Sequence, residues 1–564
     1  MEMAAEITTE GSDQVGRARQ GHAYPGEPFL KKADLVTGAI AAVPILSRVV
    51  PAAMPTAKMP ELLGMDAVAL SKKIKAKEVS CREVMDAFLN HIDRINPVVN
   101  AIVSLQDRET LLRQSDERDA QLSRGEYLGW LHGFPQAVKD LTATKGILTT
   151  QGSPLLKNFV PQADAFLVER LKKSGAIIIG KTNTPEFGLG SQTYNNVFGT
   201  TFNAYDQKKT AGGSSGGAAV SVALRMQAVA DGTDFFGSLR NPPAFNNVFG
   251  LRPSYGRVPA GPAEEISVGQ LSVPGPIGRT VSDVALLLSV MAGHDSRSPL
   301  SIEQDPGVFL EPLKRDFDGT RIAWLGNFGG YLAMEPGVLD LCQDSFKAFE
   351  SIGCKIEEAQ PDFPPERRWA TFVTLRHWLT AGNLGDFYDD AAQREQLKPE
   401  VQWEVEGGLR LSAMDAYKAS ADRSSFYQVI NRMFKTYDYL LLPTAQVFPF
   451  DADVHWPQEI NGIKMDTYHR WMEVCLFATL IGCPAINVPV GFNKDGLPMG
   501  MQIIGRNHAD RAVLQLAYSY EQATQWVSKH PPQLLTHIGS EGVSQQILTG
   551  RRGEKSQSRR STQG

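Results

Sequence analysis

Two glycine-rich segments lie close together in this chain: Lys209-Thr-Ala-Gly-Gly-Ser-Ser-Gly-Gly-Ala-Ala-Val220 and Asp231-Gly-Thr-Asp-Phe-Phe-Gly-Ser-Leu-Arg-Asn-Pro242. They place two serines, Ser214 and Ser238, in two glycine-rich turns. Glycine allows backbone conformations that direct several N–H groups towards one point, which a developing oxyanion requires. A serine hydroxyl beside such donors is therefore a candidate nucleophile.

The composition is that of an ordinary folded protein. Of the 564 residues, 42% are hydrophobic and 21% are charged, close to the averages of globular proteins. The net charge of −5 is small for this length, so it does not favour binding to nucleic acid. The five cysteines are widely spaced, which argues against a disulfide framework and favours the reduced cytoplasm. No histidine spacing is typical of a metal site.

Both ends of the chain differ from the rest. Residues 1–60 combine a polar stretch with an apolar one, Val36–Leu46, which is too short to span a membrane. We expect residues 1–60 to form a partly flexible N-terminal arm. The arm faintly resembles a signal peptide, so export is the alternative to a cytoplasmic location. The main domain is expected to cover 61–540, and the charged segment 541–564 is expected to be disordered.

Hydrophobic periodicity predicts an α/β fold. Apolar residues recur at helical spacing over 65–74 and over 80–92, where Ser80 is a candidate N-cap. Short apolar runs predict strands at 134–138, 176–179, 321–325, 439–442, 485–490 and 499–504. Because these strands lack a polar face, we expect helices on both faces of the sheet. Residues 365–435 lack strand signals, which favours a helical insertion over one edge of the sheet.

Two motifs in the chain match known patterns in the wrong context. Gly175-Ala-Ile-Ile-Ile-Gly-Lys-Thr182 fits the P-loop expression, but β-branched residues fill the gap between the glycines and Asn-Thr-Pro follows the threonine in place of a helix. Gly212-Gly-Ser-Ser-Gly216 fits the nucleophile elbow of α/β-hydrolases. That elbow requires a hydrophobic strand before it, whereas 205–211 is polar.

A serine nucleophile needs a base, and the sequence offers Lys139 at the end of the apolar run Phe134-Pro-Gln-Ala-Val-Lys139. Burial destabilises an ammonium group, so a buried lysine accepts a proton near neutral pH. The alternative is a structural lysine at a strand end that pairs with Asp140. This segment alone favours the structural role.

Taken together, several segments strongly resemble the amidase signature family. Besides the Lys139 strand and the two glycine-rich segments, the resemblance rests on Gly146-Ile-Leu-Thr-Thr-Gln-Gly-Ser153, Gly180-Lys-Thr-Asn-Thr-Pro-Glu-Phe187 and the closing segment 482–505. It extends from about Met65 to Thr524. It implies a large twisted mixed β-sheet covered by helices on both faces, and an amidase that needs no cofactor and no metal.

The family uses a Ser-cisSer-Lys triad, in which the cis serine precedes the nucleophile by the 24 residues that separate Ser214 from Ser238 here. The resemblance therefore implies that Ser238 is the nucleophile, Ser214 the relay after a cis peptide bond from Gly213, and Lys139 the base. It also implies an oxyanion hole made of four backbone N–H groups, those of Phe235, Phe236, Gly237 and Ser238.

The chain departs from the family pattern directly before Ser238. Asp-Thr-Gly-Gly-Ser is common there, whereas this chain has Asp234-Phe-Phe-Gly-Ser238. The bulky residue at 236 either changes which amides point inward or adds an aromatic wall to the acyl pocket; we favour the wall, with core packing as the alternative. Arg240 is expected to anchor the turn through Asp234 or a carbonyl, or else to be solvated.

The expected activity is hydrolysis of an apolar or aryl amide; an anilide, an ester or a carbamate is left open as the substrate. The alternatives are the glutaminase subunit of an amidotransferase and a non-catalytic scaffold, which would not need all three triad residues. The expected partner is a small-molecule amide, without nucleic acid or firm membrane association. A homodimer is left open.

Overall fold

The computed structural model describes residues 58–536. The expected disordered tail 541–564 and all but the end of the expected arm 1–60 lie outside the described residues. The described chain opens with helices α1 (Lys58–Gly64), α2 (Ala67–Lys75) and α3 (Cys81–Val99). Ser80 caps α3 by accepting the Glu83 N–H at 3.1 Å, and the Glu83 carboxylate accepts the Ser80 N–H in return. The two predicted helices and the predicted cap are confirmed.

The described residues form thirteen strands. They are β1 (Ile102–Val103), β2 (Pro135–Lys139), β3 (Ile177–Thr182), β4 (Val229–Asp234), β5 (Phe249–Arg252), β6 (Val273–Gly278), β7 (Arg321–Trp324), β8 (Lys355–Glu358), β9 (Tyr439–Pro443), β10 (Glu459–Ile460), β11 (Ile463–Lys464), β12 (Ala485–Phe492) and β13 (Pro498–Ile504). Each of the six predicted strands is among them. Their apolar runs form strands because both faces of the sheet are buried.

Fifteen further α-helices connect and cover these strands in the described part of the chain. They are α4 (Arg108–Ser123), α5 (Phe166–Lys173), α6 (Gly216–Ala223), α7 (Asn241–Phe245), α8 (Val281–Met291), α9 (Val338–Asp344), α10 (Phe346–Ser351), α11 (Pro365–Asp389), α12 (Ala391–Arg394), α13 (Pro399–Leu409), α14 (Ala413–Met433), α15 (Leu476–Ile481), α16 (Asp510–Thr524), α17 (Trp526–Lys529) and α18 (Gln533–Thr536). The stretch without strand signals is thus occupied by α11 to α14.

The large sheet has eight strands in the order β4-β6-β5-β12-β13-β9-β7-β8. It is mixed, because β12 and β13 pair antiparallel whereas β7 pairs parallel with both β8 and β9. Helices pack on both faces: a Cβ at Gly500 of β13 would lie 2.9 Å from Ala244 of α7, and one at Gly505 would lie 2.4 Å from Val513 of α16. The fold is therefore the predicted α/β fold.

Strands β2 and β3 belong to a separate three-stranded sheet, of order β1-β3-β2. Strand β2 lies beside β4, but two side chains take the place of backbone carbonyls between them. Gln227 Oε1 accepts the Ala137 N–H at 3.0 Å, and Asp231 Oδ2 accepts the Lys139 N–H at 3.2 Å. We call this contact the β2–β4 seam. It brings the end of β2 next to the large sheet without a ladder of backbone hydrogen bonds.

The P-loop match forms no phosphate cradle. Its last six residues form strand β3, and the amine of the buried Lys181 donates to Thr142 O and to Thr144 Oγ1. Within residues 58–536, no helix is long and apolar enough to cross a membrane. The same residues contain no cluster of three or more His, Cys, Asp or Glu side chains suited to a metal ion.

Candidate active site

Ser214 lies in a tight turn that leads into α6. The Gly213–Ser214 peptide bond is cis. Ser191 holds the turn from outside, because its hydroxyl donates to Gly213 O at 2.7 Å and accepts the Gly213 N–H at 3.2 Å. A Cβ at Gly213 would lie 2.9 Å from the backbone nitrogen of Gln192, so this position has room only for glycine.

Lys139, Ser214 and Ser238 form a continuous chain of hydrogen bonds. Lys139 Nζ lies 2.8 Å from Ser214 Oγ, which lies 3.0 Å from Ser238 Oγ. Lys139 is fully buried, Ser214 is 2% exposed and Ser238 is 6% exposed. The serine at the outer end of the chain is therefore the one that a substrate reaches most easily.

The surroundings of Lys139 suit a base. Its amine also donates to Ser215 Oγ at 2.8 Å and to Thr233 Oγ1 at 2.9 Å. Burial lowers the pKa of Lys139 to about 7, against the opposing effect of the Asp231 and Asp234 carboxylates. At neutral pH a large fraction of this lysine is therefore the free amine.

The alternative pairing of Lys139 with Asp140 is not what the structure shows. The Asp140 carboxylate turns towards Thr150 and accepts both its N–H, at 3.1 Å, and its hydroxyl, at 2.6 Å. The Lys139 amine meets three hydroxyl groups instead. Two of these partners, Ser215 and Thr233, were not predicted from the sequence; the only signal is that each adjoins a predicted site residue, Ser214 or Asp234.

The turn that carries Ser238 is built around the buried Asp234 carboxylate. Asp234 accepts the N–H of Gly237 at 2.9 Å and that of Leu239 at 3.1 Å, on either side of the serine. Gly237 has a φ of +95°, and a Cβ there would come 2.5 Å from Asn241 Oδ1. Glycine is therefore required at 237, and the turn presents Ser238 three residues before α7 begins.

The expected oxyanion hole needs one correction. The Gly237 N–H, which we expected among its four donors, is already bound to Asp234 because the carboxylate lies inside the turn. Within the described residues, the N–H groups of Phe235, Phe236 and Ser238 have no such acceptor. These three remain available to a substrate oxygen.

The two phenylalanines before Gly237 have different environments. Phe236 is 3% exposed, and its ring lies 4.2 Å from Phe372 of α11 and 5.8 Å from His469, between ring centroids. Phe235 is half-buried, and the Arg376 guanidinium lies 4.8 Å from the centre of its ring. Phe236 thus fits the core-packing alternative, whereas Phe235 presents part of its ring beside the turn.

Arg240 contacts both kinds of partner that the sequence suggested. Its guanidinium makes two hydrogen bonds to the Asp234 carboxylate, at 2.9 and 3.0 Å, and also donates to Cys475 O at 2.8 Å and to Gln502 Oε1 at 2.9 Å. Arg252 is a second partner of Asp234, at 3.0 Å. Asp234 therefore stays ionised, and its pKa lies far below the usual range because of the two arginines.

We expect Arg240→Met to lower the free energy of unfolding by about 3 to 5 kcal/mol, because removing one partner leaves a buried charge poorly compensated. Arg240→Lys is not expected to restore stability, since one ammonium does not replace the planar set of donors. Urea unfolding followed by circular dichroism measures the change. Arg124→Met, which removes the exposed pair with Glu126, is the control and should leave the midpoint unchanged. Equal midpoints for the Arg240→Met and control variants would contradict the prediction.

A family model described as amidase matches residues 83–514. The chain belongs to the amidase signature family. Relatives of this amidase include an acylamidase of Rhodococcus erythropolis, 35% identical over 474 residues, which cover 83% of this chain and 97% of the relative. A glutamyl-tRNA(Gln) amidotransferase subunit from Thermosynechococcus vestitus is 33% identical over 485 residues, 82% of this chain and 98% of the relative.

Solved structures agree with this assignment. A bacterial aryl acylamidase of the amidase signature family superposes with a TM-score of 0.76 at 27% identity, over 82% of this chain and 98% of that one. The peptide amidase of Stenotrophomonas maltophilia superposes with a TM-score of 0.70 at 25% identity, over 83% and 98%. The amidase described here is accordingly a hydrolase of carbon–nitrogen bonds in amides.

Proposed function

We propose that this protein hydrolyses carboxylic amides through an acyl-enzyme on Ser238, with Ser214 as proton relay and Lys139 as base. The observation that carries the proposal is the unbroken chain of contacts from Lys139 Nζ through Ser214 Oγ to Ser238 Oγ, at 2.8 and 3.0 Å. Both distances are short enough for direct proton transfer.

The reaction begins with Lys139 as the free amine. Hydroxyl hydrogens rotate freely, so Ser238 donates to Ser214 while Ser214 donates to Lys139. As Ser238 Oγ attacks the carbonyl carbon, its proton passes to Ser214 and the Ser214 proton passes to Lys139. The proton then returns to the leaving nitrogen, the C–N bond breaks, and water hydrolyses the acyl-enzyme by the same path.

The oxyanion of the tetrahedral intermediate needs donors that are already in place. The free N–H groups of Phe235, Phe236 and Ser238 support this role, because they lie in the turn next to the attacking oxygen. A well-directed donor of this kind contributes about 3 kcal/mol to the stabilisation of the transition state. The bond between Gly237 and Asp234 contributes by holding the turn in shape.

The acyl group is proposed to be apolar or aromatic. The half-buried ring of Phe235 belongs to the nucleophile turn. The Arg376 guanidinium, 4.8 Å from the centre of that ring, is already engaged by Glu404, with which it forms a buried ion pair, and by Tyr468 OH at 2.8 Å. A guanidinium with these partners is not free to bind a charged substrate. The acyl side of the site therefore favours a hydrocarbon or aryl group.

A glutaminase subunit is the second candidate, because the chain is 33% identical to the amidotransferase relative. A substrate panel separates the two functions. We expect kcat/KM for anilides and aryl amides to exceed the values for aliphatic amides, esters, carbamates and free glutamine. Hydrolysis of glutamine as the best substrate would overturn the acyl-group proposal.

The five cysteines of the described chain are free and buried, which supports the cytoplasmic location we propose.

The pH dependence of kcat/KM should follow the free amine of Lys139. Because the pKa of Lys139 is lowered to about 7, we expect kcat/KM to rise about tenfold per pH unit below that value and to level off above it. Initial rates on an anilide between pH 5 and 9 measure this profile. A value of kcat/KM that falls as the pH rises through 7 would exclude the neutral lysine as base.

A further inference from the structure

Strand β4 holds Lys139 at two points. Asp231 and Thr233 lie two residues apart on β4, so their side chains point to the same face of the strand. Asp231 Oδ2 accepts the backbone N–H of Lys139 at 3.2 Å, and Thr233 Oγ1 accepts from the amine of the same lysine at 2.9 Å. The contact with Asp231 is part of the β2–β4 seam. The position of the amine relative to Ser214 thus depends on a carboxylate.

Asp231 differs from its neighbour Asp234 in how its charge is compensated. Asp234 is paired with two arginines, Arg240 and Arg252. Asp231 is equally buried, and its Oδ1 has no hydrogen-bond partner among the described residues. A carboxylate buried without an arginine acts on the nearest amines. Its charge acts on two lysines, Lys181 and Lys139, and of the two it is bonded to the backbone N–H of Lys139.

The other charges around this carboxylate have partners of their own. Lys181, on β3, is the second lysine that acts on Asp231, and its amine is bound by Thr142 O and Thr144 Oγ1. Asp140, at the end of β2, acts on Lys181 and is bound by Thr150. Burial raises the pKa of Asp231 and lowers that of Lys139, and the attraction between the two opposes both effects.

We propose that Asp231 is a positioning residue for the base: it fixes the end of β2, and its carboxylate stabilises the ammonium that forms when Lys139 takes the proton of Ser214. The inference rests on the proposed function. In the proton transfer the Lys139 amine gains one positive charge while the substrate oxygen gains one negative charge. The Asp231 carboxylate stabilises the positive charge on Lys139, while the oxyanion donors stabilise the negative charge on the substrate oxygen. Both effects lower the energy barrier of the reaction.

The test uses the rate at which a fluorophosphonate labels the full-length protein, because the substrate is not needed. The Ser238 oxygen forms a bond to phosphorus, fluoride leaves, and the serine proton passes to Ser214 and on to Lys139. Intact-mass measurements between pH 5 and 9 give the rate constant of labelling for wild type, Asp231→Asn, Asp231→Leu and Asp283→Asn. Asp283 is the matched control, a fully buried aspartate that accepts the Ala67 N–H at 2.8 Å.

Asp231→Asn keeps an acceptor for the Lys139 N–H and removes the charge. We expect the inflection of its pH profile to move about one unit lower, because the ammonium loses a stabilising charge. The plateau rate should fall about tenfold, because Lys139 becomes a weaker base. Asp231→Leu also removes the acceptor, and its rate constant of labelling should fall about a hundredfold or more. The rate constant and the pH profile of Asp283→Asn should match those of the wild type.

An Asp231→Asn profile that coincides with that of wild type, or one that moves to higher pH, would refute the role of the carboxylate. Thermal unfolding of each variant shows that it is folded, and Asp231→Asn decides the question if Asp231→Leu does not fold. Failure of the proposed function gives a different result, since the wild type itself would then gain no adduct. An active wild type with an unshifted Asp231→Asn variant refutes only the inference about Asp231.

Discussion

Ser238→Ala is expected to gain no adduct from a fluorophosphonate and to lose at least about 10⁴-fold in kcat, because the attacking atom is absent. The structure supports this effect, because Ser238 Oγ ends the chain of contacts that begins at Lys139 and is the most exposed of its three groups. Intact mass after labelling measures the first result, and single-turnover kinetics on an anilide measures the second.

Ser115→Ala is the matched control for this variant. Ser115 is also buried, but its hydroxyl donates to Leu111 O within α4 at 2.9 Å, away from the relay. This variant should be labelled at the wild-type rate. Labelling of Ser238→Ala to the same extent as the control would assign the nucleophile to another residue, and the proposed mechanism would fail with it.

Lys139→Met is expected to lower kcat/KM by about 10² to 10⁴-fold, because the relay loses the group that finally holds the proton. Methionine has nearly the same length and volume as the lysine side chain, so the variant keeps the packing at the end of β2. The residual rate should no longer show the inflection near pH 7. Measured pH profiles of kcat/KM on an anilide test both statements.

Lys181→Met separates the role of the base from the general effect of removing a buried lysine. Lys181 lies on β3 opposite Val138 and is as buried as Lys139, but its amine contacts neither Ser214 nor Ser238. We expect its kcat/KM to stay within about tenfold of the wild type. A Lys139→Met variant that is as active as Lys181→Met would exclude Lys139 as the base.

The sequence predicts the fold well because its signals are local. The apolar runs that become β9, β12 and β13 lack a polar face, which is the pattern of strands covered on both sides. The separation of β2 and β3 from the large sheet could not be predicted in this way. It depends on Gln227 and Asp231, whose side chains replace backbone carbonyls across the seam.

The candidate site was predictable where it follows family motifs and not where it depends on distant contacts. Lys139, Ser214 and Ser238 stand in motifs of the family, and the structure brings them together. The packing of Phe236 depends on Phe372, which is 136 residues later in the chain. The loss of Gly237 as an oxyanion donor depends on how the Asp234 side chain folds back into its own turn, which no spacing rule shows.

The β2–β4 seam also affects how the protein avoids unwanted association. Strands β2 and β4 are terminal strands of their sheets, and terminal strands with open N–H groups recruit strands from other molecules. Here the two edges face each other, and Gln227 and Asp231 occupy N–H groups that would otherwise be free. The same aspartate that holds the base therefore also closes an edge, so a substitution that removes this acceptor, such as Asp231→Leu, is expected to promote aggregation as well as loss of activity.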